Sequence, residues 1–209
     1  LNHVFTTFLE VMANCLAAEG DPYHAEERNN RCAELVSGME EEEIWSYAAM
    51  CAWMEMAVEE NWDEPCDILG TICHELQLND RHDGRHFKPD HICRLMSMLV
   101  NRAGDGPDNL DWKGKITDPA CGSGSLILGM VWDMKQKNFD YRHRILFIAQ
   151  DIDIQCVWMA YIQLTLYQVP AVVMHGNTRT QEEWSRWFTP YAIMQAQASE
   201  PEDAEGAGQ

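Results

Sequence analysis

The sequence of 209 residues lacks four features, and each absence argues against a class of protein. No apolar run approaches the roughly 18 residues that a membrane-spanning helix needs, and the chain does not begin with the basic-then-apolar pattern of a signal peptide. None of the eight cysteines forms a Cys-x-x-Cys pair, and the histidines at 82, 86 and 91 match no standard zinc spacing. We therefore expect a cytoplasmic chain with reduced thiols, without a membrane segment and without a metal site.

Positive charge is scarce and unevenly distributed. The chain has 15 Lys and Arg residues against 34 Asp and Glu residues, which gives a formal net charge of −19. The first 64 residues contain fifteen acids, two arginines and no lysine, a net charge of −13. Proteins that bind nucleic acid usually present a basic surface to the phosphates. Two interpretations of this segment stay open: a solvated helical surface, or a surface that repels DNA and contacts a basic protein partner.

The spacing of apolar residues predicts two kinds of structure along the chain. Residues 1–80 repeat apolar side chains at helical intervals. A helix over residues 40–60 has an apolar stripe that we expect to face the core, formed by Ile44, Trp45, Ala48, Ala52, Trp53 and Met56. Residues 81–198 place short apolar strands at 115–118, 145–149 and 171–174, with helices between them, which predicts an α/β domain with a parallel sheet. The strand at 145–149 is expected to be buried on both faces, and the acidic end, residues 199–209, to be disordered.

Polar groups follow each of the three predicted strands. The first strand ends in the sequence Asp118-Pro119-Ala120-Cys121-Gly122-Ser123-Gly124, called here the glycine turn. Asp151 follows the second strand and Asn177 follows the third. Parallel sheets bind ligands at the carboxyl ends of their strands, so these groups predict one site. Glycines permit a ligand to approach the backbone closely. A carboxylate can accept hydrogen bonds from ribose hydroxyls, and an amide can bond to the edge of an adenine. The structural alternative is that Asp118 and Asp153 cap helices and that Gly176-Asn177 forms an ordinary turn.

The glycine turn resembles the cofactor motif of the N6-adenine DNA methyltransferases, in particular the modification subunits of type I restriction systems. The resemblance extends over roughly residues 63–180 and includes further segments at 67–70, 84–89, 150–153 and 175–178. It implies a Rossmann-like class I methyltransferase core, with helices on both faces of the sheet, preceded by a helical segment. It also implies S-adenosylmethionine (SAM) as the cofactor and adenine in DNA as the substrate.

The same resemblance implies a role for each matching residue. The glycine turn would cradle the methionine part of SAM, with Phe87 and Pro89 alongside. Asp151 would hold the ribose, and Asn177 would lie near the adenine. The expected cofactor-binding set is therefore Phe87, Pro89, Asp118, Pro119, Ala120, Cys121, Gly122, Ser123, Gly124, Asp151, Ile152 and Asn177.

One motif of that family is missing from the chain. The family uses an Asn/Asp/Ser-Pro-Pro-Tyr/Phe motif, whose polar groups hold the target amine and whose ring stacks on the flipped base. This chain has eight prolines and no Pro-Pro pair. The nearest string is Phe188-Thr189-Pro190-Tyr191, which makes Pro190 and Tyr191 the candidates for a catalytic role. The preceding residues, 182–187, do not fit a buried strand.

Two functions therefore stay open. The first is an enzyme that methylates adenine in DNA, with Tyr191 as a stacking platform or with a partner chain that recognises the target. The second is a catalytically degenerate binding module, which keeps the cofactor pocket and contacts a protein through its acidic helices. Trp184 and Trp187 are expected near the mouth of the site in either case.

Overall fold

The computed structural model describes residues 1–78, 90–102 and 113–198, and these residues form helices followed by an α/β unit. The helices that precede the sheet are α1 (Asn2–Gly20), α2 (Ala25–Val36), α3 (Glu41–Glu60), α4 (Ile68–Glu75) and α5 (Asp90–Arg102). The remaining elements are β1 (Gly114–Asp118), α6 (Ser125–Gln136), α7 (Tyr141–Arg144), β2 (Ile145–Asp151), α8 (Ile154–Leu166), β3 (Ala171–Asn177), β4 (Glu182–Phe188) and α9 (Pro190–Gln197). Within the described ranges, no helix is both long and apolar enough to cross a membrane.

Four strands form one sheet in the order β1-β2-β3-β4. The first three are parallel, with Asp118 paired to Ala149 and Asp151 paired to His175. This register brings the carboxyl ends of β1, β2 and β3 to one edge of the sheet. The strand–helix–strand alternation in the sequence thus predicted the parallel part of the sheet correctly.

The fourth strand, β4, is antiparallel to β3 and forms the outer edge of the described sheet. Most of its residues are exposed, and its pairing with β3 is interrupted by an irregularity at His175 and Gly176. A strand was not expected here, because the Glu and Arg residues of this segment do not fit a buried strand. An edge strand needs only one partner, and charged side chains on it are common.

The core is centred on α8, whose middle is buried on every side. Nine of its residues, from Cys156 to Leu164, are buried. In β2, Ile145, Phe147 and Ala149 are fully buried, whereas the alternate residues are only half-buried. The prediction that this strand is buried on both faces is therefore confirmed for one face and only in part for the other, within the residues that the structure describes. An all-apolar run specifies a strand but not how completely each face is covered.

Helix α1 packs against α8, so the first helix belongs to the same hydrophobic core as the sheet. Its buried residues include Phe5, Phe8, Leu9 and Met12, which recur at the three- and four-residue intervals of one helical face. The boundary that the sequence suggested at residue 80 stays a prediction.

The apolar stripe predicted on α3 does not face the core. Trp45, Trp53 and Met56 are 68%, 66% and 56% exposed, and Ile44 is 41% exposed. The buried residues of α3 are Met54 and Val58. Consecutive side chains of an α-helix point about 100° apart. Because Met54 points into the core, the side chain of Trp53 points away from it. Because α3 is apolar on more than one face, its periodicity could not specify which face would pack.

Candidate functional site

The glycine turn connects β1 to α6 through two residues with left-handed backbone. Gly122 has φ 55° and Gly124 has φ 91°, a region in which side chains other than glycine are strained. The Cys121 N–H donates to the Gln150 carbonyl at 2.9 Å, which fastens the turn to the end of β2. Helix α6 begins at Ser125, and the N–H groups of a helix's first turn have no partners within the helix. The turn therefore combines accessible backbone with a helix N-terminus.

A buried network of hydrogen bonds connects the glycine turn to helices α4 and α8. The Ser123 hydroxyl donates to the Asp67 carboxylate. The Gln163 side-chain amide donates to both the Asp67 carboxylate (3.0 Å) and the Ser123 carbonyl (2.8 Å). Asp67 also caps α4, because it accepts the Gly70 N–H at 2.8 Å. These contacts join α4, α6 and α8 at the base of the glycine turn.

Sequence reasoning missed this network as a feature of the site. Asp67 lies 96 residues before Gln163 in the chain, so no local pattern connects them. One signal was present: Gln163 is a polar residue inside an otherwise apolar helix, and it is completely buried. A buried amide requires hydrogen-bond partners, and the loop carrying the glycines provides one of them.

The second strand end bears Asp151, which bonds directly to the glycine turn. Its Oδ2 accepts the Gly122 N–H at 2.9 Å, and its Oδ1 accepts the Asp153 N–H at 2.9 Å. Each carboxylate oxygen can accept more than one hydrogen bond, so Asp151 retains capacity for a ligand. Asp153 accepts the Gln155 N–H and caps α8, which confirms the structural alternative for this residue. The neighbouring Ile152 is 59% exposed and offers an aliphatic surface beside the carboxylate.

The loop after β3 is hydrogen-bonded to the glycine turn, which follows β1. The Thr178 hydroxyl donates to the Pro119 carbonyl at 2.7 Å, which ties the loop after β3 to the glycine turn. The Asn177 side-chain oxygen accepts the Arg179 N–H at 3.0 Å, so this oxygen stabilises a turn, as the structural alternative stated. His175 Nε2 donates to the Ile152 carbonyl at 3.2 Å and connects the second and third strand ends. The three predicted strand ends therefore lie together at one edge of the sheet.

The electrostatic character of this edge is negative. Burial raises the pKa of the Cys121 thiol well above its ordinary value, and the carboxylates of Asp151 and Asp118 raise it further. Cys121 is therefore a protonated thiol at neutral pH and not a nucleophile. Two carboxylates beside the glycine turn favour a ligand that has positive charge near the turn.

The two catalytic candidates, Pro190 and Tyr191, lie at the opposite edge of the sheet. Thr189, which precedes them, exchanges hydrogen bonds with Ala171, the first residue of β3. The Tyr191 hydroxyl donates to Gln168 at 2.8 Å, before β3 begins. Since β4 is antiparallel to β3, it carries the chain from the carboxyl edge back to the amino edge. The expectation that Tyr191 stacks on a base beside the cofactor is thus contradicted by its position.

The two tryptophans of β4 differ in their surroundings. Trp187 is 3% exposed, and the Arg28 guanidinium lies 3.7 Å from the centre of its ring. Trp184 is 52% exposed and packs edge-on against His175, with ring centres 4.8 Å apart. Of these two tryptophans, Trp184 therefore presents an aromatic surface to solvent near the three strand ends, whereas the expectation for Trp187 is wrong.

Two expected cofactor contacts, Phe87 and Pro89, lie outside the described residues. The same holds for the acidic end that was predicted to be disordered, residues 199–209. Of the expected cofactor set, the ten residues in the described part of the chain lie in the glycine turn and at the ends of β2 and β3.

A mostly parallel sheet with polar groups converging at three neighbouring carboxyl ends defines the class of α/β ligand-binding domains. The chain belongs to the N-6 DNA methylase family, since the model of that family matches residues 67–198. The match begins at Asp67 of the buried network and ends just after α9. Comparisons with curated proteins and with solved structures gave no match.

Proposed function

We propose that this chain binds SAM at the glycine turn and contributes to methylation of the N6 amine of adenine in DNA. The observation that supports this most directly is the hydrogen bond from the Gly122 N–H to the Asp151 carboxylate, because it fixes the turn against the acidic end of β2. Membership of the N-6 DNA methylase family supports both the cofactor and the substrate. The eight free cysteines suit a reducing compartment such as the cytoplasm.

The residues of the site fit SAM chemically. The carboxylates of Asp118 and Asp151 complement the ammonium and sulfonium charges of SAM, and Asp151 retains acceptor capacity for ribose hydroxyls. The exposed Ile152 provides an apolar surface for the flat adenine, with Asn177 at the next strand end. Bound SAM supplies an activated methyl group on a positively charged sulfur. The Rossmann-like core and the contacts of Phe87 and Pro89 are part of the same proposal.

Recognition of the target base requires an aromatic ring and polar groups beside the cofactor, and within residues 1–78, 90–102 and 113–198 the candidate ring, Tyr191, does not lie there. The sequence has no Pro-Pro pair, and Tyr191 bonds to Gln168 at the other edge of the sheet. A net charge of −19 also opposes close approach to DNA phosphates. We therefore propose that a partner chain binds the DNA and supplies the target-base contacts. The second candidate function is a cofactor-binding module without catalysis. The missing Pro-Pro pair and the negative net charge favour it as well.

An assay with radiolabelled SAM distinguishes these functions. The chain is purified alone and, separately, together with the chains that co-purify with it from its native cells. Each preparation is incubated with unmethylated random-sequence duplex DNA, and N6-methyladenine is measured by mass spectrometry. We expect N6-methyladenine only with the co-purified chains, and its loss in an Asp118→Ala variant. If SAM binds but neither preparation methylates DNA, the enzymatic proposal is wrong and the binding module remains.

A further inference from the structure

An apolar groove lies between α1, α3 and α4, and none of its lining residues belongs to the glycine turn or to the ends of β2 and β3. It has a volume of about 410 Å³, and all of its lining residues are apolar, among them Val4, Met50, Trp53, Ala57, Ile72 and Leu76. Trp53 and Leu76 are 66% and 44% exposed, so the groove is open to solvent. Large exposed apolar surfaces on an otherwise charged protein commonly mark interaction sites.

Exposed apolar residues of α3 continue beside the groove, on the outer side of Trp53. Trp45 precedes Trp53 by eight residues, about 12 Å along the helix axis. Met56 is 56% exposed and continues the stripe toward the end of α3. Of the buried residues of α3, Met54 also lines the groove, whereas Val58 does not. The exposed apolar side chains from Trp45 to Met56 span about three turns of α3 beside the groove.

An acidic side chain lies near each end of α3, on the same face as Trp53. Glu42 and Glu60 lie 11 and 7 residues from Trp53, which is close to three and two whole turns of a helix, so both share its face. Both are exposed. Helices α1, α3 and α4 contain no lysine or arginine, and the two arginines of the first 64 residues are both on α2. The three helices that form the groove thus bring acidic side chains and no lysine or arginine to an occupant.

The negative charge around the groove favours a basic partner over a second copy of the chain or an anionic membrane. A second copy of the chain would bring a second segment of net charge −13 against the first, and an anionic membrane would be repelled in the same way. A basic partner gains both apolar burial and charge complementarity. The groove is formed by three helices and offers no strand edge, so an amphipathic helix suits it better than an extended peptide.

We propose that the groove between α1, α3 and α4 binds a basic amphipathic helix of a partner protein. The apolar side chains of that helix fill the groove, with Trp53 as the central aromatic contact. Its lysines and arginines lie over Glu42, Glu60 and the acidic run at residues 40–43. This surface is separate from the cofactor edge, so partner binding and SAM binding are independently testable.

The probe is a fluorescein-labelled peptide of 18 residues made of leucine and lysine, with leucines at helical i, i+3, i+4 and i+7 intervals. A scrambled peptide of equal composition is the control for charge alone. Fluorescence anisotropy is measured with the full chain at physiological salt. We expect the amphipathic peptide to bind at least about tenfold more tightly than the scrambled one, because only it presents an apolar face. Equal binding of the two peptides would overturn the proposal.

Variants locate the peptide on the surface. Trp53→Ala is expected to weaken binding at least about tenfold, because aromatic residues at the centre of an interface dominate its energy. The matched control Trp184→Ala removes an exposed tryptophan at the cofactor edge and leaves peptide binding unchanged. The double variant Glu42→Gln, Glu60→Gln is expected to weaken binding and to reduce its salt dependence. Unchanged binding by Trp53→Ala, which should still bind SAM normally, would overturn the groove as the binding site.

Two further measurements identify other occupants. Sedimentation equilibrium is expected to give a monomer for the wild type, and a dimer that Trp53→Ala dissociates would assign the groove to a second copy. A variant with residues 79–89 replaced by a glycine-serine segment of equal length is expected to bind the peptide as the wild type does. If only that variant bound the peptide, the groove would belong to the chain's own segment. Either of these contrary results would overturn the proposal.

Discussion

Replacement of Asp67 by alanine is expected to lower the free energy of unfolding by about 3 kcal/mol. Asp67 is 4% exposed and accepts hydrogen bonds from the Gly70 N–H, the Gln163 amide and the Ser123 hydroxyl. Alanine removes all three acceptor contacts and leaves buried donors without a partner, which costs about 1–3 kcal/mol for a buried group. It also removes the N-cap of α4, a loss of about 1 kcal/mol.

Urea denaturation followed by circular dichroism measures this loss. The matched control is Asp63→Ala, four residues earlier, because Asp63 is exposed and its removal is expected to change stability by less than about 0.5 kcal/mol. If Asp67→Ala and Asp63→Ala unfolded at the same urea concentration, the buried network would not be the support of the glycine turn.

Replacement of Gly124 by valine is expected to reduce SAM affinity at least about tenfold and to lower stability by about 2 kcal/mol. Gly124 has φ 91°, and a Cβ atom there would lie 3.4 Å from the Ala160 Cβ atom of α8. Valine adds two methyl groups beyond that position, so the turn must change its backbone or move away from α8. Either movement displaces the N–H groups proposed to approach the cofactor.

The control for this substitution is Gly38→Val. A Cβ atom at Gly38 would meet nothing within 4 Å, and Gly38 has no left-handed φ. Its variant is expected to bind SAM as the wild type does. Wild-type SAM affinity in a folded Gly124→Val protein would show that the left-handed turn is not needed for the cofactor.

The strands β1, β2 and β3 and the convergence of their carboxyl ends were predictable because their signals are local. β2 and β3 are short apolar runs that end in a carboxylate and an amide, β1 is marked by the glycine turn that follows Asp118, and parallel pairing then brings the three ends together. The hydrogen bond from Thr178 to Pro119 is a consequence of that pairing and joins the loops after β3 and β1.

The features that sequence reasoning missed depend on tertiary structure. The direction of β4 is set by its pairing with β3, and that direction places Tyr191 at the far edge of the sheet. The outward face of α3 is set by which side packs on the core, and both sides are apolar. The contact between Asp67 and Gln163 spans 96 residues. No local pattern in the sequence specifies any of these three arrangements.

The most direct test of the cofactor site is a calorimetric titration of SAM into the purified chain, with Asp151→Ala and Asp63→Ala as the variant and its control. We predict saturable binding at one site for the wild type and for Asp63→Ala, and loss of binding in Asp151→Ala with the fold intact by circular dichroism. Absence of binding to the folded wild-type chain would contradict the proposal that the glycine turn holds SAM.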